Sequence, residues 1–412
     1  TITYYNNSPD VLTYLWLQLD QNILAPGNET DKTKTNSLRD STNTMTLQQD
    51  LDLYGEYKGG YTIKSVKAID GSSLPFLINK TMMRIDLPKP LKAGETVQFS
   101  IDWSFNITDR VGYIGGRPGY EYFPKDGNYL YTMAEWFPRM AVYSDFQGWQ
   151  NKQFLGQGEF ALTFGDYEVR ITVPADHMVG ATGVLQNPEQ VLSATELQRW
   201  NKAKQTYDAP VVIRTQAEAE ALEKKKAPGK KTWIFKAENV RDFAWTSSRK
   251  FIWDAMAVKQ GGKDVMAMSY YGKEGNPLWE QYSTRVVAHT LKSYSSHTFD
   301  YPYPTAISVE GSNGMEYPMI CFNYGRPDAD GTYSDAIKYG MISVIIHEVG
   351  HNYFPMIVNS DERQWTWMDE GLNTFMQFMA EQEWDRNYPS RRGPAHKIVP
   401  YMKSEKHLLE PI

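Results

Sequence analysis

The residues of this chain most able to do chemistry together lie in one apolar segment towards the end of the sequence. Residues 341–351 read MISVIIHEVGH, which places His347 and His351 four positions apart, with Glu348 directly after the first histidine. Helical residues four apart share one face, with Cβ atoms about 5–6 Å apart, so both imidazoles can bind one tetrahedral zinc ion. Glu348 lies one step round the helix, where a metal-bound water needs a base. The spacing predicts His347 and His351 as zinc ligands and Glu348 as that base.

Two histidines on a buried helix can instead be ordinary hydrogen-bonded core residues. The chain has seven histidines, which makes a chance match to this pattern uncommon. His289 and His297 are distant in sequence and are predicted to be ordinary residues of another helix. The single cysteine, Cys321, excludes both an intrachain disulfide and a cysteine-ligated zinc. Any metal must therefore be bound by histidines and carboxylates.

A third ligand must come from another segment, and Glu370 in the sequence WTWMDEGLNTF (365–375) is the candidate. Residues 352–369 separate it from His351, enough for the first helix to end near Pro355 and a second helix to return antiparallel. Glu370 would then face the two histidines. Asp369 and Asn373 can orient a ligand from behind, or they can be plain surface residues.

The combination of these motifs resembles the aminopeptidase N family of gluzincin zinc metallopeptidases. His-Glu-x-x-His is followed in both by a glutamate after eighteen residues. Residues 313–318 read NGMEYP and are similar to the family's upstream strand, in a variant found in bacterial members. The resemblance implies that Glu316 binds the α-amine of the substrate, next to Gly314 and Met315. A carboxylate near the zinc that pairs with an ammonium group would position the first peptide bond over the metal. A turn carboxylate that caps neighbouring backbone is the alternative for Glu316.

Two further family features match this sequence less closely. The family takes a second amine-binding residue from its N-terminal β domain, and Glu135 in AEWFPR (134–139) is the nearest match, at an unusual spacing. A structural salt bridge with Arg139 is the alternative. The family's transition-state tyrosine follows the third ligand by fifty to seventy residues, and neither Tyr388 nor Tyr401 has the right context. We expect this sequence to be C-terminally truncated and to lack that tyrosine, whose loss typically costs ~10²–10³ in turnover.

The pattern of apolar residues changes along the chain. Segments 14–19, 97–103 and 167–173 alternate apolar and polar residues as strands do. From about Gly272 a helical period predicts a helix over 278–299, strands at 306–309 and 319–322, and a helix capped near Ser334 or Asp335. We predict a multi-domain α+β fold, with a large β domain over 1–271 and a catalytic domain over 272–412. The resemblance implies a saddle-like shape for the first and the first part of a thermolysin-like domain for the second.

Composition limits the classes of partner. The chain has 43 basic and 49 acidic residues, which argues against a nucleic-acid or anionic-membrane surface. No run of eighteen apolar residues is present, so we expect no membrane span. The resemblance is compatible with a periplasmic or extracellular location.

The function predicted from these features is removal of N-terminal residues from peptides that have a free amino terminus, with one Zn²⁺ per chain. The alternatives are a zinc endopeptidase of the same fold, in which Glu316 does not contact substrate, and a non-catalytic interaction module that retains the fold.

Overall fold

The computed structural model describes residues 1–28, 58–111 and 117–398, together with positions 44, 47 and 403. The chain is a mixed α+β protein that forms two compact units. The first comprises Thr1–Gly119, Glu135–Thr163 and Asp361–Gln364, and the second comprises Tyr120–Ala134, Phe164–Ser360 and Trp365–Ile412. Tyr401 lies outside the described residues.

Twenty-two strands and seven α-helices are present in the described part of the chain. The strands are β1 (Ile2–Tyr5), β2 (Leu12–Gln18), β3 (Thr62–Ala68), β4 (Phe76–Asn79), β5 (Met82–Leu91), β6 (Thr96–Ser104), β7 (Gly119–Phe123), β8 (Asn128–Met133), β9 (Arg139–Met140), β10 (Tyr143–Ser144), β11 (Gly148–Trp149), β12 (Gly165–Pro174), β13 (Met178–Ala181), β14 (Val184–Leu185), β15 (Val211–Arg214), β16 (Lys230–Val240), β17 (Trp245–Ser248), β18 (Ile252–Gln260), β19 (Lys263–Tyr271), β20 (Thr305–Glu310), β21 (Met315–Tyr317) and β22 (Ile320–Asn323). The helices are α1 (Pro188–Val191), α2 (Ala194–Ala203), α3 (Gln216–Lys224), α4 (Leu278–His297), α5 (Asp335–Gly350), α6 (Glu362–Trp365) and α7 (Trp367–Trp384), and short 3₁₀ turns cover Asp20–Leu24, Lys273–Gly275 and Ala395–Ile398.

The first unit is built from β-sheets. Its two larger sheets have the strand orders β1-β6-β3 and β4-β5-β2-β9. Alternate residues of β2, β3, β5 and β6 form one buried cluster, which includes Leu15, Val66, Ile85 and Phe99. This alternation is what the sequence predicted for 14–19 and 97–103, now seen as β2 and β6. An alternating strand buries one face and exposes the other.

The second unit is centred on a six-stranded sheet of order β15-β18-β19-β20-β22-β21. Strands β19 and β20 are parallel, as are β20 and β22, whereas the other pairs are antiparallel. Parallel neighbours need a long crossover connection, and helix α4 provides it between β19 and β20. Helices α4, α5 and α7 share one buried cluster with the core face of this sheet. The sheet includes strands on both sides of residue 271, and the predicted boundary there stays a prediction.

Helix α5 begins where the sequence indicated. The Ser334 hydroxyl accepts a hydrogen bond from the Ile337 N–H at 3.3 Å, which satisfies one of the free donors at a helix start. The helix ends at Gly350, earlier than the predicted end near Pro355. Two interactions favour this early end: Asn352 Nδ2 donates to the Val349 carbonyl, and the Met356 N–H bonds the His351 carbonyl in a wider turn. The predicted helix over 278–299 is α4, and the predicted strands at 306–309 and 319–322 are β20 and β22.

Candidate metal centre

Helix α5 brings the two histidines together inside the protein. All but one of the residues from Met341 to Gly350 are buried, so the end of this helix runs through the core and not along a surface. His347 and His351 lie one turn apart, and their Nε2 atoms are 3.0 Å from each other. The two imidazoles therefore point their Nε2 atoms at one place.

Helix α7 adds the carboxylate of Glu370 at the same place. Its Oε2 lies 3.3 Å from Nε2 of His347 and 3.9 Å from Nε2 of His351. Atoms bound about 2.0–2.2 Å from one tetrahedral ion are about 3.3–3.6 Å apart, which is close to these three separations. Desolvation acts to raise the pKa of Glu370, but the hydrogen bond with His347 and the histidine charges outweigh it and lower that pKa to about 2.

The other ring nitrogen of each histidine is held by the protein. Nδ1 of His347 is 2.9 Å from Oε1 of Gln377. Nδ1 of His351 is 2.8 Å from both the Phe354 carbonyl and Oδ1 of Asp369. Such partners fix the ring orientation and leave Nε2 as the ligand atom.

Charges around His351 favour its protonated form in the metal-free protein. Burial acts to lower the pKa of His351, but the carboxylates of Glu316, Asp369 and Glu370 outweigh burial and raise it well above its usual value. The ring must lose this proton to bind a metal.

Gln377 is a residue of the candidate site that the sequence motifs did not indicate. Its Nε2 donates to Glu381 Oε1 at 2.8 Å and to Ser343 Oγ at 2.9 Å, and these bonds fix which amide atom faces His347. Gln377 follows Glu370 by two helical turns, and this spacing could have identified it. Asn373 is buried and donates to the His347 carbonyl at 2.9 Å, so it and Asp369 are not plain surface residues.

Gly350, between the two histidines, lies against side chains of two neighbouring helices. A Cβ atom there would lie 2.2 Å from the Tyr294 hydroxyl and 2.3 Å from Oδ1 of Asn373. Tyr294 belongs to α4 and donates a 2.8 Å hydrogen bond to Asn373 of α7. Glycine is therefore required for α5 to pack against both neighbours.

Two further carboxylates, those of Glu348 and Glu316, lie beside the histidines. Both side chains are buried, and each has an oxygen within 4.8 Å of the other's and of a ring nitrogen of His351. Gly314 makes room for this arrangement, because a Cβ atom there would lie 2.6 Å from Glu348 Oε1. Met315 is buried on β21 opposite Phe322. Seven predicted site residues thus belong to the second unit.

Glu135 belongs to the first unit. It is buried with a left-handed backbone (φ 47°), a conformation that costs free energy for residues other than glycine. Burial, aided by the charge of Asp20, raises its pKa to about 8. The Tyr61 hydroxyl donates to its backbone carbonyl, and Arg139 forms a buried ion pair with Asp20. A role for Glu135 in amine binding stays a prediction.

The two histidines outside the motif have ordinary contacts. His289 Nε2 bonds the Ala380 carbonyl at 2.8 Å, and His297 Nε2 lies 2.6 Å from Glu383. Tyr388 donates to the Tyr339 carbonyl at 2.6 Å. In the described part of the chain, no helix is long and apolar enough to cross a membrane.

The solved structures similar to this chain include M1 zinc metallopeptidases. The enzyme from Deinococcus radiodurans superposes with a TM-score of 0.52 at 14% identity, over 93% of this chain and 65% of that one. A mutant of it bound to a Tyr-Ser-Ala substrate gives 0.50 at 14% identity, over 93% and 66%. A two-domain M1 zinc metallopeptidase mutant bound to L-arginine gives 0.52 at 14% identity, also over 93% and 66%.

This chain has the M1 zinc metallopeptidase fold. The resemblance to the aminopeptidase N family, first indicated by the motifs, is confirmed at the level of the fold. No model of a protein family matches the chain, and no curated protein is significantly similar to it in sequence. The chain spans slightly less than two thirds of the length of these M1 structures.

Proposed function

We propose that this chain is a zinc-dependent aminopeptidase that removes N-terminal residues from peptides. The observation that carries the proposal is the convergence of His347 Nε2, His351 Nε2 and Glu370 Oε2 on one place, with Glu348 and Glu316 beside it. The substrate and amino-acid complexes of M1 zinc metallopeptidases with this fold support a peptide substrate.

The donor set suits one zinc ion. Two imidazoles and one carboxylate are the protein ligands of many catalytic zinc sites, which keep a fourth position open. The Nδ1 contacts of both histidines leave Nε2 for the metal, as this chemistry requires. A zinc ion held there supplies Lewis-acid activation of a water molecule and of the peptide carbonyl.

The two nearby carboxylates, of Glu348 and Glu316, have different roles. Glu348 takes the proton of the attacking water and returns it to the departing amine. It follows His347 directly, and its buried carboxylate has an oxygen within 4.8 Å of a ring nitrogen of His351. Glu316 accepts hydrogen bonds from the substrate ammonium group. An ammonium fixed there places the first peptide bond, and not a later one, at the metal.

We also propose the domain layout that the resemblance implies. Residues 1–271 would correspond to a saddle-like β domain, and residues 272–412 to the first part of a thermolysin-like catalytic domain of a gluzincin. The fold similarity over 93% of the chain supports this assignment.

Hydrolysis of a leucyl fluorogenic amide, with and without an N-acetyl group, tests the proposed function. We expect zinc-loaded protein to cleave the free amide and to leave the acetylated one intact. Glu348→Gln should lower turnover at least 100-fold, whereas Glu383→Gln, an exposed carboxylate paired with His297, should retain full activity. Equal cleavage of both substrates would indicate an endopeptidase. Zinc-loaded protein without activity on either would favour the interaction-module hypothesis.

A further inference from the structure

Asn352 links the end of the metal-binding helix to the hairpin that carries Glu316. It directly follows His351 and is buried. Its Oδ1 accepts a hydrogen bond from the Met319 N–H at 2.7 Å and another from the Tyr301 hydroxyl at 3.2 Å. Its Nδ2 donates to the Val349 carbonyl at 3.2 Å, within α5. One side chain therefore bonds both to the ligand helix and to the turn between β21 and β22.

The turn that Asn352 holds has a conformation that needs support. Met319 has a φ of 64°, a left-handed backbone that residues other than glycine adopt only where their surroundings fix it. Thr182 Oγ1 donates to the Pro318 carbonyl at 2.8 Å, and the Ile307 N–H donates to the Met319 carbonyl at 2.9 Å. Asn352 accepts a hydrogen bond from the buried Met319 N–H, and leaving that N–H unpaired would cost free energy.

The position of this turn determines where Glu316 lies. Glu316 precedes Met319 by three residues and pairs with Cys321 across the hairpin. Its carboxylate has an oxygen within 4.8 Å of a carboxylate oxygen of Glu348 and of a ring nitrogen of His351. A shift of this short hairpin would therefore change the distance between the Glu316 carboxylate and His351.

We propose that Asn352 is a positioning residue that sets the distance between the metal ligands and the amine-binding carboxylate of Glu316. This inference rests on the proposed function, because it assigns Asn352 an effect on recognition of the free amino terminus. In this role Asn352 acts through the backbone of the turn and not by touching substrate or metal.

A double-mutant cycle on peptide affinity tests this inference without requiring turnover. The affinities of a free tripeptide and of its N-acetylated form are measured by calorimetry in a Glu348→Gln background. We expect Asn352→Ala to weaken binding of the free tripeptide about tenfold and to leave the acetylated form unchanged. In a Glu316→Ala background, Asn352→Ala should have no further effect, because coupled residues are not additive. Asn352→Asp keeps an acceptor for the Met319 N–H and should restore most of the affinity.

Asn187 provides the matched control. It is buried, accepts the Ile234 N–H at 2.9 Å and donates to the Thr232 carbonyl at 3.0 Å, the same bonding pattern away from the metal centre. Asn187→Ala should leave both affinities within twofold. If Asn352→Ala does not fold, Tyr301→Phe decides instead. It keeps the Asn352 side chain but removes the second bond to Oδ1, together with the bond from Tyr301 to the Thr305 carbonyl, and it should weaken binding of the free tripeptide selectively.

The outcomes separate this inference from the proposed function. If the Glu348→Gln protein with Asn352 intact binds the free and acetylated peptides equally well, the proposed function is contradicted, and the inference with it. Suppose instead that the Glu348→Gln protein prefers the free peptide. An effect of Asn352→Ala that persists without Glu316, or that equals the effect of Asn187→Ala, would then overturn the inference alone.

Discussion

Gly314 shows how closely single residues determine the chemistry of this site. A Cβ atom at this position would lie 2.6 Å from Glu348 Oε1 and 3.1 Å from Val344 Cγ2. The sequence indicated Gly314 only through the family resemblance, whereas the structure gives the physical reason. Any side chain there must displace the carboxylate that we assign as the base.

Replacing Gly314 by alanine should therefore impair catalysis more than folding. A displacement of about 1 Å at a reacting group can cost ~10²-fold in rate, so we expect Gly314→Ala to lower turnover between tenfold and 100-fold. The control is Gly340→Ala on the exposed face of α5, where a Cβ meets nothing within 4 Å; it should keep full activity and stabilise the helix by about 0.5–1 kcal/mol. Steady-state kinetics and urea unfolding of both variants measure these effects. Normal turnover in Gly314→Ala would show that the Glu348 carboxylate need not stay where the structure has it.

Gln377 should contribute to metal affinity although it does not touch the metal. It holds Nδ1 of His347, and loss of such a partner typically lowers metal affinity 10–100-fold. We expect Gln377→Leu to show this loss in a competition with a zinc chelator. Gln382→Leu, on the same helix but bonded to the Tyr388 carbonyl, should bind zinc as wild type does. Equal affinity of the two variants would argue against the assigned role.

At the scale of elements, the sequence predicted the positions of several helices and strands but not the contacts between distant segments. The capped start of α5, the extent of α4 and the strands β2, β6, β20 and β22 follow from side-chain period and capping, which neighbouring residues determine. The order of the six-stranded sheet and the tie between Asn352 and Met319 join residues far apart in sequence, so no local pattern encodes them. The predicted end of α5 near Pro355 is too late, because the bond that competes for the Val349 carbonyl comes from Asn352, a side chain beyond the end of the helix.

Asp254 on β18 is a buried carboxyl group that makes the stability of the folded protein depend on pH. Burial, partly offset by hydrogen bonds from the Thr284 and Tyr271 hydroxyls, raises its pKa from 3.8 to about 7. Because the folded pKa is the higher one, its contribution to stability is complete below about pH 4 and is lost as the pH rises towards 7. The loss is at most about 1.4 kcal/mol per pH unit over that window.

Asp254→Asn should remove this dependence. Relative to the variant, wild-type protein is expected to lose on the order of a few kcal/mol in unfolding free energy between pH 4 and pH 7. Above pH 7 the difference in unfolding free energy between the two proteins should stay constant. Urea unfolding at four or five pH values measures the difference. Parallel stability curves for the two proteins would mean that Asp254 is ionised in the folded state as readily as in the unfolded chain.

At the scale of the whole molecule, the motifs carried more information than overall sequence similarity. The fold is shared with M1 zinc metallopeptidases at only 14% identity, while the predicted ligands and the predicted base lie together in the second unit. The division of the chain into compact units was less predictable. Residues 120–134 and 361–364 belong to units other than those of their neighbours in sequence, since compactness depends on contacts that periodicity does not report.

The zinc content of the purified protein, measured by atomic emission after dialysis against metal-free buffer, tests the central claim most directly. We predict one zinc ion per chain in the wild type and in Glu383→Gln, and almost none in His347→Ala, His351→Ala or Glu370→Gln. Wild-type protein that holds no zinc after reconstitution, or ligand variants that keep it as tightly as the wild type, would contradict the assignment of this site as a metal centre.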